Sequence, residues 1–338
     1  MERIKIISLI LKKNYNPQKF FEIIKNGKIE EIIERELLKK AEEIEKECKR
    51  KGFWIKLIID KDYPEELLNT PNPPIVLFGF GNENLRGFKF GIVGTRKPTD
   101  YGRKNARIFA RELSLNGICI ISGGARGIDT EVHREVVEIK GKTICVLGSG
   151  FKFLYPPENK RLFSKIVENG GTILTEFPPE TPPYKYNFPF RNRIIAALSK
   201  GILVIEASMQ SGTFSTCEWA LSYGKEVFAL PGPVDSKQSE GTNYLIKEGA
   251  HCVTSPEDIL SFFGIKKERR EIILTDEEKE IIEILNTPKY VEEIVEITNK
   301  PISFIYNIIF SLQMKKLIEK LPGNKYVSLL MKKNNFKF

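Results

Sequence analysis

Residues 1–60 carry apolar side chains at helical spacing between Glu/Lys runs, with Phe20, Phe21, Ile23, Ile24, Ile32, Ile33, Leu37 and Leu38 as the expected buried set. The spacing predicts a small helical domain over residues 1–70, and the mixed-sign run 39–51 reads as a solvated helix face. The Pro-rich stretch 60–74 reads as a linker. From Ile75 the period changes. Short apolar runs at 90–93, 119–122, 143–147, 172–174, 202–206, 227–229 and 251–253 alternate with helical segments near 101–115, 130–139, 158–168, 192–198, 215–223 and 242–247. Such alternation predicts an α/β core over residues 71–265, a doubly wound and mostly parallel sheet. Past a charged linker at 266–274, helical spacing near 276–285, 291–298 and 303–315 and a turn at Pro322-Gly323-Asn324 predict a winged helix-turn-helix over 275–338. Its expected recognition helix has almost no cations, which favours a protein contact over base readout.

The chain is organised around 188–216. The run 202–206 (ILVIE) suits a strand buried on both faces. Arg191-Asn192-Arg193 precedes it, and Ser211-Gly212-Thr213 follows as a small-residue turn into a helix. Backbone N–H groups converge at such a turn, and anions bind there. Four other expected strands lead to comparable turns. They are Gly94-Thr95-Arg96, Gly124-Ala125-Arg126, Gly148-Ser149-Gly150 and the long loop that ends at Arg191. Each glycine turn alone is a tight connection. Together they place Arg96, Arg126, Arg191 and Arg193 on one rim of the sheet, where open α/β sheets bind ligands. No GxGxxG with a following acid and no GxxxxGK[ST] is present, so dinucleotide and Walker-type sites fit this chain poorly. The loop 176–190 adds Phe177, Tyr184, Tyr186, Phe188 and Phe190 among five prolines. Basic grooves with aromatic faces hold single strands. Most of these rings are nonetheless expected to fold back onto the sheet.

Candidate chemistry is thin. Asp129 and His133 are spaced for a general acid–base pair, but the favoured reading is a helix cap and a local hydrogen bond. Glu206 and Glu218 are possible arginine partners. No His or Cys set has metal spacing, and the five scattered cysteines suit reduced thiols. The net charge of +9 is spread along the chain and adds modest support for a nucleic-acid partner. No apolar run approaches the ~18 residues of a membrane span. The run 6–11 lacks a cleavage signature, so a cytoplasmic protein is expected.

Seven ordered blocks between residues 62 and 260 resemble the DNA-processing protein A family (DprA, also called Smf). They include GIVGTRKPTDYGR, ISGGARGIDTEVHREVV, EFPPETPPYKYNFPFRNRIIAALSKGILVIEA and SGTFSTCEWALSYGKEVFALPGPVD. The resemblance implies a Rossmann-like core that holds single-stranded DNA in a basic pocket and dimerises. It also implies protection of incoming DNA and loading of RecA in transformation and recombination, with no cofactor and no catalysis. By position, the pocket would use Gly94, Thr95, Arg96, Gly124, Arg126, Arg191, Arg193, Ser211, Gly212 and Thr213, with Phe188, Phe190 and Tyr186 as stacking candidates. The second reading is a nucleoside monophosphate hydrolase of the related lysine-decarboxylase-like (LOG) group. Its GGxGTxxE pattern is not met, because the Gly-Gly is missing and Glu218 stands two residues too late after Gly212-Thr213.

Overall fold

The computed structural model describes residues 2–12, 16–266, 274–315 and 317–329. The chain divides into two compact units, Met1–Lys267 and Glu268–Phe338. The linker expected at 266–274 falls almost wholly outside the described residues.

The first unit is built on nine strands: β1 (Trp54–Leu57), β2 (Val76–Gly81), β3 (Lys89–Val93), β4 (Cys119–Ser122), β5 (Thr143–Val146), β6 (Thr172–Thr175), β7 (Gly201–Val204), β8 (Glu226–Ala229) and β9 (His251–Cys252). Their order across the sheet is β1-β2-β6-β5-β4-β3-β7-β8-β9. β3 to β9 run parallel to one another, as the apolar runs predict, while β2 is antiparallel to β6 and β1 to β2. The result is a Rossmann-like α/β sheet. Its winding reverses between β3 and β7. The sheet begins before residue 71, where the sequence pattern placed its start. β1 holds a buried Lys56, and the apolar run of β2 follows Pro-rich sequence, so neither stands out as a core strand.

Eleven described helices belong to this unit: α1 (Glu2–Leu9), α2 (Pro17–Lys25), α3 (Arg35–Arg50), α4 (Glu65–Leu68), α5 (Asp100–Leu115), α6 (Ile128–Glu138), α7 (Lys160–Glu168), α8 (Asn187–Leu198), α9 (Thr213–Ser222), α10 (Glu240–Lys247) and α11 (Pro256–Phe262). Alternate strand residues enter different cores, because successive side chains leave opposite faces of a strand. Phe90, Ile92, Ile120, Leu203 and Ile205 pack with α5, α6 and α11. Ile121, Ile202 and Val204 pack on the other face with α8 and α9. That second cluster continues through Leu57 and Phe78 to Ile6 and Ile7 of α1, so the first helix shares the core of the sheet.

The second unit holds α12 (Asp276–Ile284), α13 (Val291–Thr298) and α14 (Ile302–Met314), with β10 (Lys289–Tyr290), β11 (Ile318–Leu321) and β12 (Lys325–Ser328) in the antiparallel order β10-β12-β11. Thr275 and Glu278 form a capping box at the start of α12. Gly323 and Asn324 both take positive φ, the backbone a tight hairpin between β11 and β12 requires. Ile281, Leu285, Ile294, Ile305, Ile309 and Leu312 form a core of its own. Among the described residues no helix is long and apolar enough to cross a membrane.

Candidate nucleic-acid interface

The point where the winding reverses is where the loops after β3 and β7 part, and parallel sheets open a crevice there. The loop after β3 is 94–99. Thr99 caps α5 by accepting from the Gly102 N–H at 3.2 Å. Glu206, just past β7, holds this loop in place. Its carboxylate accepts from the Thr99 N–H at 2.9 Å and from the Thr99 hydroxyl, and its carbonyl accepts from the Thr95 N–H at 2.7 Å. Glu206, weighed above as an arginine partner, therefore fixes the loop that carries Arg96.

The loop after β4 folds on Asp129. The buried carboxylate accepts from the N–H groups of Gly123 at 3.1 Å and Ala125 at 3.3 Å. Burial pushes its carboxyl above the ordinary range, and nearby Arg191 works against that shift. Asp129 thus closes its own turn. It does not cap α6, whose N-cap is Gly127. Gly127 has φ +79°, and a Cβ there would lie 2.4 Å from the Thr95 carbonyl oxygen. The Ile128 N–H donates to that same oxygen at 3.1 Å, locking the two loops together. His133 is fully buried, with Nδ1 2.9 Å from the Thr143 hydroxyl, and burial pushes its imidazolium down to about 3. Its ring holds α6 against β5.

Arg191 and Arg193, both placed on the rim by the sequence reading, lie beneath it. Arg191 is 4% exposed and donates to the carbonyls of Gly123, at 2.6 Å, and Val146. It ties the ends of β4 and β5 to α8. Arg193 is 1% exposed and forms an ion pair with buried Glu176, with the Phe190 ring 4.1 Å from its guanidinium. A stacking role expected for Phe190 is thereby redirected inward. The physical reason is that α8 enters the crevice between loops, where Arg191 and Arg193 meet protein while Phe188, Pro189 and Asn192 face the cleft.

What remains at the surface is a cleft of about 480 Å³. Gly94, Thr95, Arg96, Phe188, Arg191, Ser211, Gly212 and Thr213 line it. Gly124, Arg126, Arg193, Tyr186 and Phe190 do not. Arg126 is exposed beside it, paired with Glu158 and 5.7 Å from the Tyr155 ring. Gly124 (φ +65°) lies beneath, where a Cβ would meet Cys145 Sγ at 2.5 Å. Phe188 rests against Gly148 and Tyr155, with the Arg96 guanidinium 5.7 Å from its ring centre. Ser211 accepts from the Thr213 N–H at 3.2 Å, which shapes the turn into α9, and Asn192 of α8 donates to Ser215 of α9 at 2.8 Å.

The electrostatics of the mouth come from Arg96, Lys97 and Lys185. All three are exposed, and none has a carboxylate partner among the described residues. The sequence reading missed Lys97 and Lys185. Each had a local signal, since Lys97 shares the turn of Arg96 and Lys185 stands between two tyrosines. Those rings, Tyr184 and Tyr186, stack at 5.4 Å with planes 8° apart and are 47% and 71% exposed. Phe177, Phe188 and Phe190 are partly buried, the folding back expected of most of the loop's rings. Among the described residues, no group of three His, Cys, Asp or Glu side chains is placed to hold a metal, and the five cysteines are free thiols.

A family profile described as DNA recombination-mediator protein A matches residues 54–264, from β1 past α11. Protein Smf of Escherichia coli is 46% identical over 199 residues, covering 59% of this chain and 53% of that protein. DNA processing protein DprA of Streptococcus pneumoniae is 42% identical over 207 residues, covering 61% of this chain and 73% of that protein. The match spans about half the length of the Escherichia coli and Synechocystis relatives. The X-ray structure of the Streptococcus pneumoniae protein superposes with TM-score 0.65 at 34% identity, over 77% of this chain and 95% of that one. The Helicobacter pylori protein, described for its single-stranded DNA binding mode, superposes with TM-score 0.57 at 30% identity, over 62% of this chain and 95% of that one. The matched span contains the whole cleft and the loops that build it, and the chain belongs to the DNA recombination-mediator protein A family.

Proposed function

We propose that this chain is a recombination mediator that binds single-stranded DNA in the cleft at the carboxyl ends of β3 and β7. The observation that carries the reading is the trio Arg96, Lys97 and Lys185, exposed and without a carboxylate partner among the described residues around the cleft, with Lys185 flanked in sequence by the exposed Tyr184–Tyr186 stack. Cations neutralise the backbone, and aromatic faces accept bases of any sequence. The glycine turns let backbone approach the phosphates, while buried Arg191, Arg193 and Glu206 hold the loops in register. The Helicobacter pylori relative, described as a single-strand binder, supports the same ligand. By family membership the reading extends to protection of the strand, RecA loading, a homodimer through the Rossmann-like core, a winged-helix second unit and a cytoplasmic setting. A nucleoside monophosphate hydrolase is disfavoured, because Glu218, the acid nearest the required pattern, does not line the cleft.

Fluorescence anisotropy of a labelled oligonucleotide, single-stranded against duplex across a salt series, tests this. The expected outcome is preference for the single strand, with affinity falling steeply in salt at a slope of about 0.7 per phosphate neutralised. Equal or negligible binding to both forms overturns it.

A further inference from the structure

A larger cleft, of about 1120 Å³, opens at the opposite, amino end of the same strands. Gly87 and Lys200, just before β3 and β7, and Lys225, just before β8, line it. Two of its acids are already paired, Asp62 with Lys56 and Glu66 with buried Lys89 at 2.6 Å. Among the described residues Lys61, Arg86, Lys200 and Lys225 have no carboxylate partner, against two unpaired acids in the lining, Glu65 and Glu83. Lys225 is half-buried, and burial together with nearby Lys200 pushes its ammonium below the ordinary lysine range, against the opposing pull of Glu66. Cations of this cleft that lack an ion-pair partner, Lys200 and Lys225 among them, favour an anionic ligand there.

The two clefts are joined. α8 and α9 each start at the first cleft and end at the second. Asn187–Leu198 runs from beside Phe188 to within two residues of Lys200, and Thr213–Ser222 runs from the first lining to the second. Midway along α9, Trp219 Nε1 donates to the carbonyl of Pro189 at 3.3 Å, and Pro189 lines the first cleft. The Trp219 ring lies 5.7 Å from that of Tyr223, which lines the second. A half-buried aromatic pair therefore bridges two basic clefts. One exposed acid on α9, Glu218, opposes this path. At roughly 3.3 Å per strand residue, the clefts are separated by about 20 Å, a few nucleotides of single strand.

We infer that a single strand seated in the first cleft continues over α8 and α9 into the second, where Lys200 and Lys225 pair with its phosphates and the Trp219–Tyr223 rings meet a base. This rests on the reading of the first cleft as a single-strand site. The test uses the full chain and two single-stranded oligonucleotides, of about 3 and about 20 nucleotides, the shorter too short to reach from one cleft into the other. The double variant Lys200→Ala, Lys225→Ala is expected to lose about tenfold in affinity for the long oligonucleotide and under about twofold for the short one, with a shallower salt slope only for the long. Lys200→Ala alone, at an exposed side chain, is expected to shift the long oligonucleotide in the same direction. Trp219 fluorescence is expected to be quenched by the long oligonucleotide and not by the short. Unchanged binding of both lengths, or equal loss for both, overturns the inference. So does binding of inorganic phosphate or a mononucleotide that depends on Lys225 while the long oligonucleotide binds the variant normally, which assigns a small-anion site. Failure of the unmodified chain to bind either length identifies the first cleft as the reading at fault.

Discussion

Arg96 and Arg193 are the same residue type in opposite physical situations. Arg96 is exposed on a loop pinned by Glu206, with no carboxylate partner among the described residues. Arg193 is buried against Glu176 and Phe190. Removing one partner of a buried ion pair leaves the other charge uncompensated, which costs about 3–5 kcal/mol. Arg193→Ala is therefore expected to lower the free energy of urea unfolding by an amount of that order. Arg96→Ala should leave unfolding unchanged and weaken single-strand binding by about 1.5–3 kcal/mol, the range for a charge-assisted contact. Matched urea titrations and anisotropy on the two variants decide it. If Arg193→Ala unfolds like the unmodified chain and loses only DNA affinity, the assignment of roles is wrong. The sequence could not separate the two arginines. Positions 191 and 193 stand on opposite sides of any helix, so one face should be wet, and only the crevice around α8 buries both. The partner, Glu176, sits 17 residues away in an irregular loop, beyond the reach of any periodic pattern.

At the scale of elements, the inner parallel strands were legible because a strand buried on both faces is apolar at most positions, and a short apolar run between turn residues is characteristic of such a strand, whereas β9 at the sheet edge, His251–Cys252, is partly exposed. The rim was legible for a related reason. A turn that must cross closely over its neighbour needs glycine, and glycine is visible in a sequence. Which glycines matter was not visible, because that depends on what lies opposite. Gly127 has positive φ and faces the backbone of Thr95 and Arg96 at 2.4–2.8 Å, whereas Gly212 has helical φ and open space around its Cβ position. Gly127→Ala is expected to destabilise the fold by more than about 1 kcal/mol, through strained backbone and a displaced Arg96 loop, and to reduce DNA binding with it. Gly212→Ala should be neutral for stability to within about 0.5 kcal/mol. Any loss of DNA affinity in that variant then reports a strand that approaches the turn too closely for a methyl group. Thermal unfolding read beside anisotropy separates the two effects. Equal destabilisation by both substitutions would mean that the two loops do not interlock as described.

For the whole molecule, the division of labour follows from where the cores and charges lie. Each unit buries its own apolar cluster, and the matched family span ends at residue 264, inside the first. α14 of the second unit offers a DNA groove little. α14, the helix that would read a groove, carries no charged residue along its thirteen positions. Its outward face shows Ile302, Tyr306, Phe310 and Met314 at four-residue intervals, 48–70% exposed. A helix reads DNA with cations and amides, since these supply both phosphate neutralisation and base contacts. The absence of cations on 303–314 was legible in the sequence. The unbroken apolar stripe was not, because an apolar residue at helical spacing is as easily core as surface until its neighbours are known. A fragment ending at residue 266 is therefore expected to fold with an unchanged melting temperature for the sheet-containing unit and to bind a single-stranded oligonucleotide within about twofold of the full chain, a difference of about 0.4 kcal/mol. A loss of tenfold or more would mean that the second unit touches DNA with residues other than those of α14, and would move the binding surface off the sheet's rims and onto both units together.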